Sequence, residues 1–159
     1  METIKNKDME ISQIRKQKRA KIQMIPKNVT GESGLVQVDI TWGIIQPMQV
    51  TKDVLTVGEL EVYNHHQKGL PIIDTRKLDT SGSVTISGSR NIPYNELVER
   101  VGELDKNHPS IFFCNGPQCP QSPAGIKNLL KNGYPADKIL YYRGGMHDWI
   151  TLGLPLKRI

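Results

Sequence analysis

Short, continuous runs of apolar residues dominate the pattern of hydrophobic and polar positions along this chain. Residues 70–74 read Leu-Pro-Ile-Ile-Asp, residues 110–114 read Ser-Ile-Phe-Phe-Cys, and residues 139–142 read Ile-Leu-Tyr-Tyr. Runs of this length, apolar on both faces, are typical of strands buried in a parallel sheet. The pattern therefore predicts three core strands.

Helix signals precede and follow the first of these strands. Thr56-Val57-Gly58-Glu59 has the form of a capping box, in which the Thr56 side chain caps the helix and the Glu59 side chain accepts a hydrogen bond from the Thr56 backbone N–H. We expect that helix to run to about Lys68 and to close at Gly69. Residues 77–89 are polar and rich in Gly, Ser and Thr, and are expected to form a loop. Pro93 is expected to begin a second helix, with Leu97, Val101 and Leu104 on one face.

Two further helices are expected after the second and third strands. Ser122-Pro123 has the order of an N-cap followed by a first-turn proline, and Gly133 stands where that helix should stop. Gly144-Gly145 is expected to turn the chain into a last helix that carries Trp149. Strands that alternate with helices predict an α/β fold in three layers, with a central, mostly parallel sheet.

The domain organisation follows from length and charge. The 159 residues, 37% hydrophobic and 23% charged, fit one globular domain, which we place at residues 51–159. Residues 1–50 are expected to be a basic, partly flexible extension with a short strand within 35–40. The net charge is +5, and much of the excess lies in a basic arm within the first thirty residues. Its cations are Lys5, Lys7, Arg15, Lys16, Lys18, Arg19, Lys21 and Lys27.

Several classes of protein are disfavoured. The chain has no apolar run of the roughly 18 to 20 residues that would cross a bilayer, and its N-terminus has no apolar stretch typical of a signal peptide, so we expect a cytoplasmic protein. The basic arm has no aromatic residue to stack on bases, so nucleic-acid binding is not expected. No metal and no cofactor are expected either.

The candidate chemistry lies in the loop that begins at Cys114. That cysteine ends a central strand ahead of a helix, which is where open α/β sheets bind ligands. Backbone N–H groups of such a loop, together with the helix dipole, favour an anion and lower a thiol pKa. The residues expected to line this anion site are Asn115, Gly116, Pro117, Gln118, Pro120, Gln121 and Ser122.

The loop contains a second cysteine, Cys119, and both are candidate catalytic thiols. The end of the strand favours Cys114 as the nucleophile, whereas proximity to the helix N-terminus favours Cys119. A pair in one loop also suggests that one thiol carries sulfur and the other resolves it, which leaves a disulfide. The alternative is that Cys114 only completes a buried strand, as free cysteines often do.

Residues 70–159 resemble a rhodanese domain. The family's motifs have counterparts here in the right order: Ile72-Ile73-Asp74-Thr75-Arg76, Ile86-Ser87-Gly88-Ser89-Arg90-Asn91-Ile92-Pro93, Phe113-Cys114, Gly133-Tyr134, Gly144-Gly145 with Trp149, and Leu154-Pro155. The resemblance implies a rhodanese-like fold and a sulfurtransferase or persulfide carrier. Its donor would be thiosulfate, a polysulfide or a persulfide, and its acceptor a thiol or cyanide.

The chain departs from the family pattern in its loop. The spacing from Cys114 to Ser122 is two positions longer than usual, and no Lys or Arg lies between them. Recognition of an anionic donor would rest on backbone amides, so thiosulfate is expected to be a poor substrate. Asp74 and Arg76 are interpreted as structural support for the loop.

Two other functions stay open at this point. One is a non-catalytic rhodanese-homology module that binds a protein partner, with the basic arm supplying the contact. The other is a thiol-disulfide switch that uses the two cysteines without transferring sulfur.

Overall fold

The computed structural model describes residues 27–28, 36–37, 44–77 and 84–159. The strands are β1 (Lys27–Asn28), β2 (Val36–Gln37), β3 (Leu55–Thr56), β4 (Ile72–Asp74), β5 (Val84–Ile86), β6 (Arg90–Asn91), β7 (Ser110–Phe113), β8 (Ile139–Tyr142) and β9 (Leu156–Arg158). The α-helices are α1 (Glu59–Gln67), α2 (Gln121–Lys131) and α3 (Gly145–Thr151). Short 3₁₀ turns span Val101–Glu103 and Ala136–Lys138.

The centre of the fold is a parallel sheet of five strands in the order β3-β8-β7-β4-β6. Every pairing in it is parallel. The three predicted core strands are its three middle members, so the predicted α/β architecture is confirmed. Strand β7 pairs with β4 on one side and with β8 on the other, which puts the start of the cysteine loop in the middle of the sheet.

Alternation along the strands divides the core into two layers. Phe112 packs into a cluster with Ile126 and Leu129 of α2, whereas Ile111 and Phe113 pack into the opposite cluster. The opposite cluster contains Val62 of α1 and Met146, Trp149 and Ile150 of α3. Because successive side chains of a strand point to opposite faces, an apolar run without alternation requires a cover on both. Helix α2 covers one face of the sheet, and helices α1 and α3 cover the other.

The first helix is confirmed, but its predicted cap is wrong. Thr56 lies in β3, where its hydroxyl donates to the Met48 carbonyl. The N-cap is Gly58, whose backbone N–H donates to Glu61 Oε2 at 3.0 Å. Because Thr56 belongs to β3, which pairs with β8, it does not cap α1. The helix begins two residues later than the capping box suggested. Its end is as predicted, with Gly69 at φ 64°.

The helix predicted from Pro93 is not an α-helix. Residues 94–100 form turns, followed by the 3₁₀ turn at Val101–Glu103. Leu97 and Leu104 are buried as predicted, but Val101 is 39% exposed. The backbone bonds are partly of the three-residue type, such as Glu96 N–H to the Pro93 carbonyl. Such bonds tighten the turn and rotate Val101 away from the face that a regular helix would bury.

The stretch predicted as a loop contains a strand. Val84–Ile86 pairs in antiparallel register with Leu156–Arg158, and residues 78–83 lie outside the described part of the chain. A three-residue strand paired to a segment about 70 residues away leaves little local signal, because the pairing is tertiary.

Little of the extension is described. Lys27–Asn28 pairs in antiparallel register with Val36–Gln37, and the second of these falls within the strand expected at 35–40. Most of the basic arm lies outside the described residues. Within the described ranges, the structure has no helix long and apolar enough to cross a membrane.

Candidate active site

The site is the loop between β7 and α2, which starts with Cys114 immediately after the strand. Cys114 and Cys119 are both free thiols, and each is only 1% exposed. A turn bond from the Cys119 N–H to the Gly116 carbonyl, at 2.9 Å, folds the loop back on itself. The turn brings the two cysteines together beneath the loop, although the sequence separates them by four residues.

The Cys114 sulfur both accepts and donates hydrogen bonds. The Ser122 N–H donates to Cys114 Sγ at 3.4 Å, and the Cys114 thiol donates to the Cys119 carbonyl oxygen at 3.4 Å. Burial alone would raise the pKa of the Cys114 thiol. Hydrogen bonds from the Cys119 thiol, the Ser122 hydroxyl and the Ser122 and Gly116 amides outweigh the burial and lower that pKa. The thiolate, which is the nucleophilic form, is therefore favoured at Cys114.

The Cys119 thiol behaves in the opposite way. Burial raises its pKa well above the usual range, and the hydrogen bond and negative charge of Cys114 raise it further. Cys119 is therefore the proton donor of the pair and Cys114 the acceptor. The sequence left the choice between them open, and this difference in environment distinguishes the two thiols.

Helix α2 begins earlier than predicted. Its N-cap is Pro120, and its first residue is Gln121, so Ser122 lies in the first turn and is not the cap. The Ser122 hydroxyl instead lies 2.7 Å from the Thr75 hydroxyl, which is the donor between the two when the Ser122 proton points to Cys114. The Thr75 hydroxyl also lies 2.9 Å from the Phe113 carbonyl oxygen. The ends of β4 and β7 thereby hold Ser122 against Cys114.

Ser122→Ala is expected to raise the pKa of the Cys114 thiol, because it removes one hydrogen bond that stabilises the thiolate and leaves the backbone N–H in place. The alkylation rate of Cys114 by iodoacetamide should then reach its midpoint at a higher pH, and should fall several-fold at neutral pH. Peptide mass spectrometry of samples quenched across a pH series measures both.

The matched control is Ser110→Ala. Ser110 is also fully buried, but its hydroxyl has no hydrogen-bond partner among the described residues. Removal of the Ser110 hydroxyl should leave the pH dependence of Cys114 alkylation unchanged. Equal shifts in the two variants would contradict a specific role for the Ser122 hydroxyl.

The N-terminus of α3 fixes the start of the loop. The Met146 N–H donates to the Cys114 carbonyl at 3.0 Å, and the His147 N–H donates to the Asn115 carbonyl at 2.9 Å. This contact requires a glycine at 145, where φ is +57° and an added Cβ would lie 2.3 Å from the Cys114 carbonyl oxygen. The predicted Gly144-Gly145 turn is thus also a point of close approach to the site.

Asp74 and Arg76 form a buried ion pair beside the loop, with exposures of 1% and 0%. The Arg76 Nη2 and Nε atoms donate to the Asp74 carboxylate at 2.7 and 2.9 Å. Arg76 Nη1 donates to Asn115 Oδ1 at 3.2 Å, and the Thr85 hydroxyl donates to Asp74 Oδ2 at 2.8 Å. The pair links β4, β5 and the loop, which is consistent with the predicted structural role.

Of the residues expected to line the anion site, the structure brings two amides to Cys114, those of Gly116 and Ser122. Asn115 is buried with its side chain toward Arg76, whereas Pro120 is exposed. Pro117 and Gln118 are half-buried. Binding of substrate by the remaining loop residues stays a prediction.

Sequence reasoning missed a contact on the outer side of the loop. The Gln46 N–H donates to the Pro117 carbonyl at 2.7 Å, and Arg143 Nε and Nη2 donate to the Gln46 carbonyl at 3.0 and 2.8 Å. Residues 44–50 therefore lie against the site although they belong to the predicted extension. The position of Arg143 directly after β8, at the same sheet edge as Cys114, was the available signal.

A second missed feature is the hydroxyl of Tyr141. It is buried, and it has no hydrogen-bond partner among the described residues. Burial raises the pKa of Tyr141, and the negative charge of Cys114 adds to this effect. The Tyr141 hydroxyl is therefore a buried hydrogen-bond donor with no acceptor among the described residues.

Comparison with known proteins decides the family. The model of the rhodanese-like domain matches residues 59–152, which is more than half of the chain. The chain belongs to the rhodanese family. The match begins with α1 and ends just after α3, so it contains four of the five sheet strands, the cysteine loop and the Asp74–Arg76 pair, but neither β3 nor residues 44–50.

Individual relatives agree with this membership. A thiosulfate sulfurtransferase from Pseudomonas aeruginosa is 28% identical, with a TM-score of 0.55 over 65% of this chain and 20% of that one. A full-length protein from Lactobacillus plantarum shares the fold at 20% identity and a TM-score of 0.57, over 66% of this chain and 88% of that one. An HTH-type transcriptional regulator from Mycobacterium tuberculosis is 26% identical over 105 residues, 66% of this rhodanese chain. That match spans 45% of the regulator.

Proposed function

We propose that this rhodanese-family protein is a sulfurtransferase or persulfide carrier in which Cys114 takes up sulfane sulfur. The observation that carries the proposal is the environment of the Cys114 sulfur. Although it is buried, hydrogen bonds lower its pKa and favour the thiolate. A structural cysteine in an apolar core would have the opposite shift, toward the inert thiol.

The reaction is an attack of the Cys114 thiolate on the sulfane sulfur of a donor. A bond forms between Cys114 Sγ and that sulfur, and the donor leaves as a thiolate or, from thiosulfate, as sulfite. The product is a persulfide on Cys114, whose negative charge moves to the terminal sulfur. The amides of Gly116 and Ser122 and the unused hydroxyl of Tyr141 are donors suited to such a charge.

The donor must reach a sulfur that is 1% exposed. The loop or the segment that covers it has to move for this contact, and residues 44–50 are the segment bonded to the loop through Pro117. Loop residues 114–122 carry no Lys or Arg, so a thiosulfate dianion gains no side-chain charge there. We expect a polysulfide or a small persulfide to load the protein faster than thiosulfate does.

Mass spectrometry of the intact protein tests the proposal. Reduced wild type, Cys114→Ser and Cys119→Ser are exposed to polysulfide and, separately, to thiosulfate, and are read for the added mass of one sulfur atom. The added sulfur should be present in Cys119→Ser and, in samples quenched early, in wild type, and should be absent from Cys114→Ser. An iodoacetamide trap followed by peptide mapping locates the sulfur.

Each departure from this pattern has a definite meaning. Uptake that survives in Cys114→Ser and disappears in Cys119→Ser would make Cys119 the nucleophile and overturn our assignment. Absence of uptake from both donors in every protein would overturn the sulfur-carrier function. It would favour the protein-binding module that the sequence left open.

A further inference from the structure

The uptake of sulfur by Cys114 requires no second thiol, yet Cys119 lies in contact with Cys114. Both thiols are buried to 1% exposure, and Cys114 Sγ lies 3.4 Å from the Cys119 carbonyl oxygen. A thiol acceptor from solution has to wait for the loop to open, whereas Cys119 is already inside. The thiol best placed to react with loaded Cys114 is therefore part of the same loop.

We propose that Cys119 is a resolving thiol that displaces the sulfane sulfur from Cys114 as hydrosulfide and leaves a Cys114–Cys119 disulfide. The inference rests on the proposed sulfur-carrier function, because it concerns the fate of sulfur that Cys114 has taken up. It assigns a product, free sulfide, and a second substrate, a dithiol reductant that restores the two thiols.

The step balances in atoms and electrons. The Cys119 sulfur attacks the inner sulfur of the Cys114 persulfide, so the bond between Cys119 Sγ and Cys114 Sγ forms. The bond between Cys114 Sγ and the terminal sulfur breaks, and its electron pair leaves with that sulfur. The Cys119 proton goes to the departing sulfur, which gives hydrosulfide. The Cys119 sulfur is oxidised from the thiol to the disulfide level and the terminal sulfur is reduced to sulfide, while the Cys114 sulfur stays in an S–S bond throughout.

Two features of the site favour this step. First, the two thiols are in one loop, with Cys114 Sγ 3.4 Å from the Cys119 carbonyl oxygen, so the attack is intramolecular and needs no encounter with a second molecule. Second, the negative charge of Cys114 is one cause that keeps the Cys119 thiol protonated. Loading moves that charge to the terminal sulfur, one atom farther away. Persulfide formation therefore makes the Cys119 thiol easier to deprotonate at the stage when Cys119 attacks.

The product depends on which of the two persulfide sulfurs Cys119 attacks. Cys119 approaches Cys114 Sγ itself, and attack there gives a disulfide and sulfide. Attack on the terminal sulfur would instead move the persulfide to Cys119 and release nothing. The turn that bonds the Cys119 N–H to the Gly116 carbonyl holds Cys119 beside the first of these atoms.

The test follows the fate of sulfur already bound. Full-length wild type and Cys119→Ser are loaded with polysulfide without oxygen, freed of excess donor and followed by intact mass and by a sulfide assay. Cys119→Ser should keep the mass of one added sulfur atom and release little sulfide. Wild type should lose that sulfur, release sulfide in an amount equal to the protein, and end two hydrogens lighter than the reduced chain. Slower loading of Cys119→Ser does not affect this readout.

Controls separate the outcomes. Wild type without donor should stay reduced under the same conditions, which excludes oxidation by air, and Cys119→Ala should behave like Cys119→Ser. A wild-type persulfide that lasts as long as the one in Cys119→Ser, or a persulfide mapped to Cys119, would overturn the resolving role and leave the sulfur carrier intact. Failure of all proteins to load would remove the carrier function itself.

Discussion

Asp74→Ala is expected to lower the free energy of unfolding by about 3–5 kcal/mol, the usual cost of breaking a buried ion pair on one side. The change leaves the Arg76 guanidinium, which is 0% exposed, without its carboxylate. The remaining acceptors include Asn115 Oδ1 and the Val84 carbonyl, and neither of these two carries a charge. Urea unfolding monitored by circular dichroism measures the loss.

Two comparisons make this result specific. Glu103→Ala breaks contacts with Arg90 and Arg100 on the surface, and should change the unfolding midpoint far less. Asp74→Leu combined with Arg76→Met removes both charges and should recover part of the loss of Asp74→Ala. If Asp74→Ala cost no more than Glu103→Ala, the buried pair would not be what supports the loop.

Gly145→Ala is expected to destabilise the protein by about 2 kcal/mol more than a matched glycine substitution, because a methyl group here overpacks the site. The added Cβ would lie 2.3 Å from the Cys114 carbonyl oxygen and 2.9 Å from the Gly116 nitrogen. Both atoms are backbone, so the loop itself must shift. The variant should also react more slowly at Cys114, since the Gly116 amide would no longer face the sulfur.

The matched substitution is Gly153→Ala. Gly153 has a similar positive φ of 68°, but no atom of the part of the chain that the structure describes lies within 4 Å of an added Cβ. Its cost should be only the backbone strain, about 1–2 kcal/mol, with Cys114 alkylation unchanged. Unfolding free energies and alkylation rates of the two variants, measured side by side, separate strain from steric pressure on the site. Equal effects on both quantities would contradict the role given to Gly145.

The sequence predicted the fold well where its signals were local and strong. Apolar runs such as Ser110–Phe113 predicted the middle strands, and Gly69 and Gly133 were correctly expected to end helices in the left-handed region. The failures occurred where tertiary contacts decide. Val84–Ile86 forms a strand through its pairing with Leu156–Arg158 near the C-terminus. Thr56 does not cap a helix as predicted, because it pairs with Tyr141 in the sheet.

The same division holds for the candidate site. The order of strand, cysteine loop and helix was readable in the sequence, because connectivity fixes which residues share a sheet edge. The relation between the two cysteines was not, since it depends on how the loop turns at Gly116 and on which amides face Sγ. The unpaired hydroxyl of Tyr141 had no sequence signal at all, because it follows a buried strand pattern like any core tyrosine.

The contact at Gln46 has a consequence for how this protein should be prepared. The matched domain begins at residue 59, and a fragment cut there would lack the strand β3 and the carbonyl that Arg143 binds. It would also expose the Pro117 carbonyl on the outer side of the loop. An expression fragment intended to report native thiol reactivity therefore has to start upstream of residue 44, even though the family boundary suggests a shorter one.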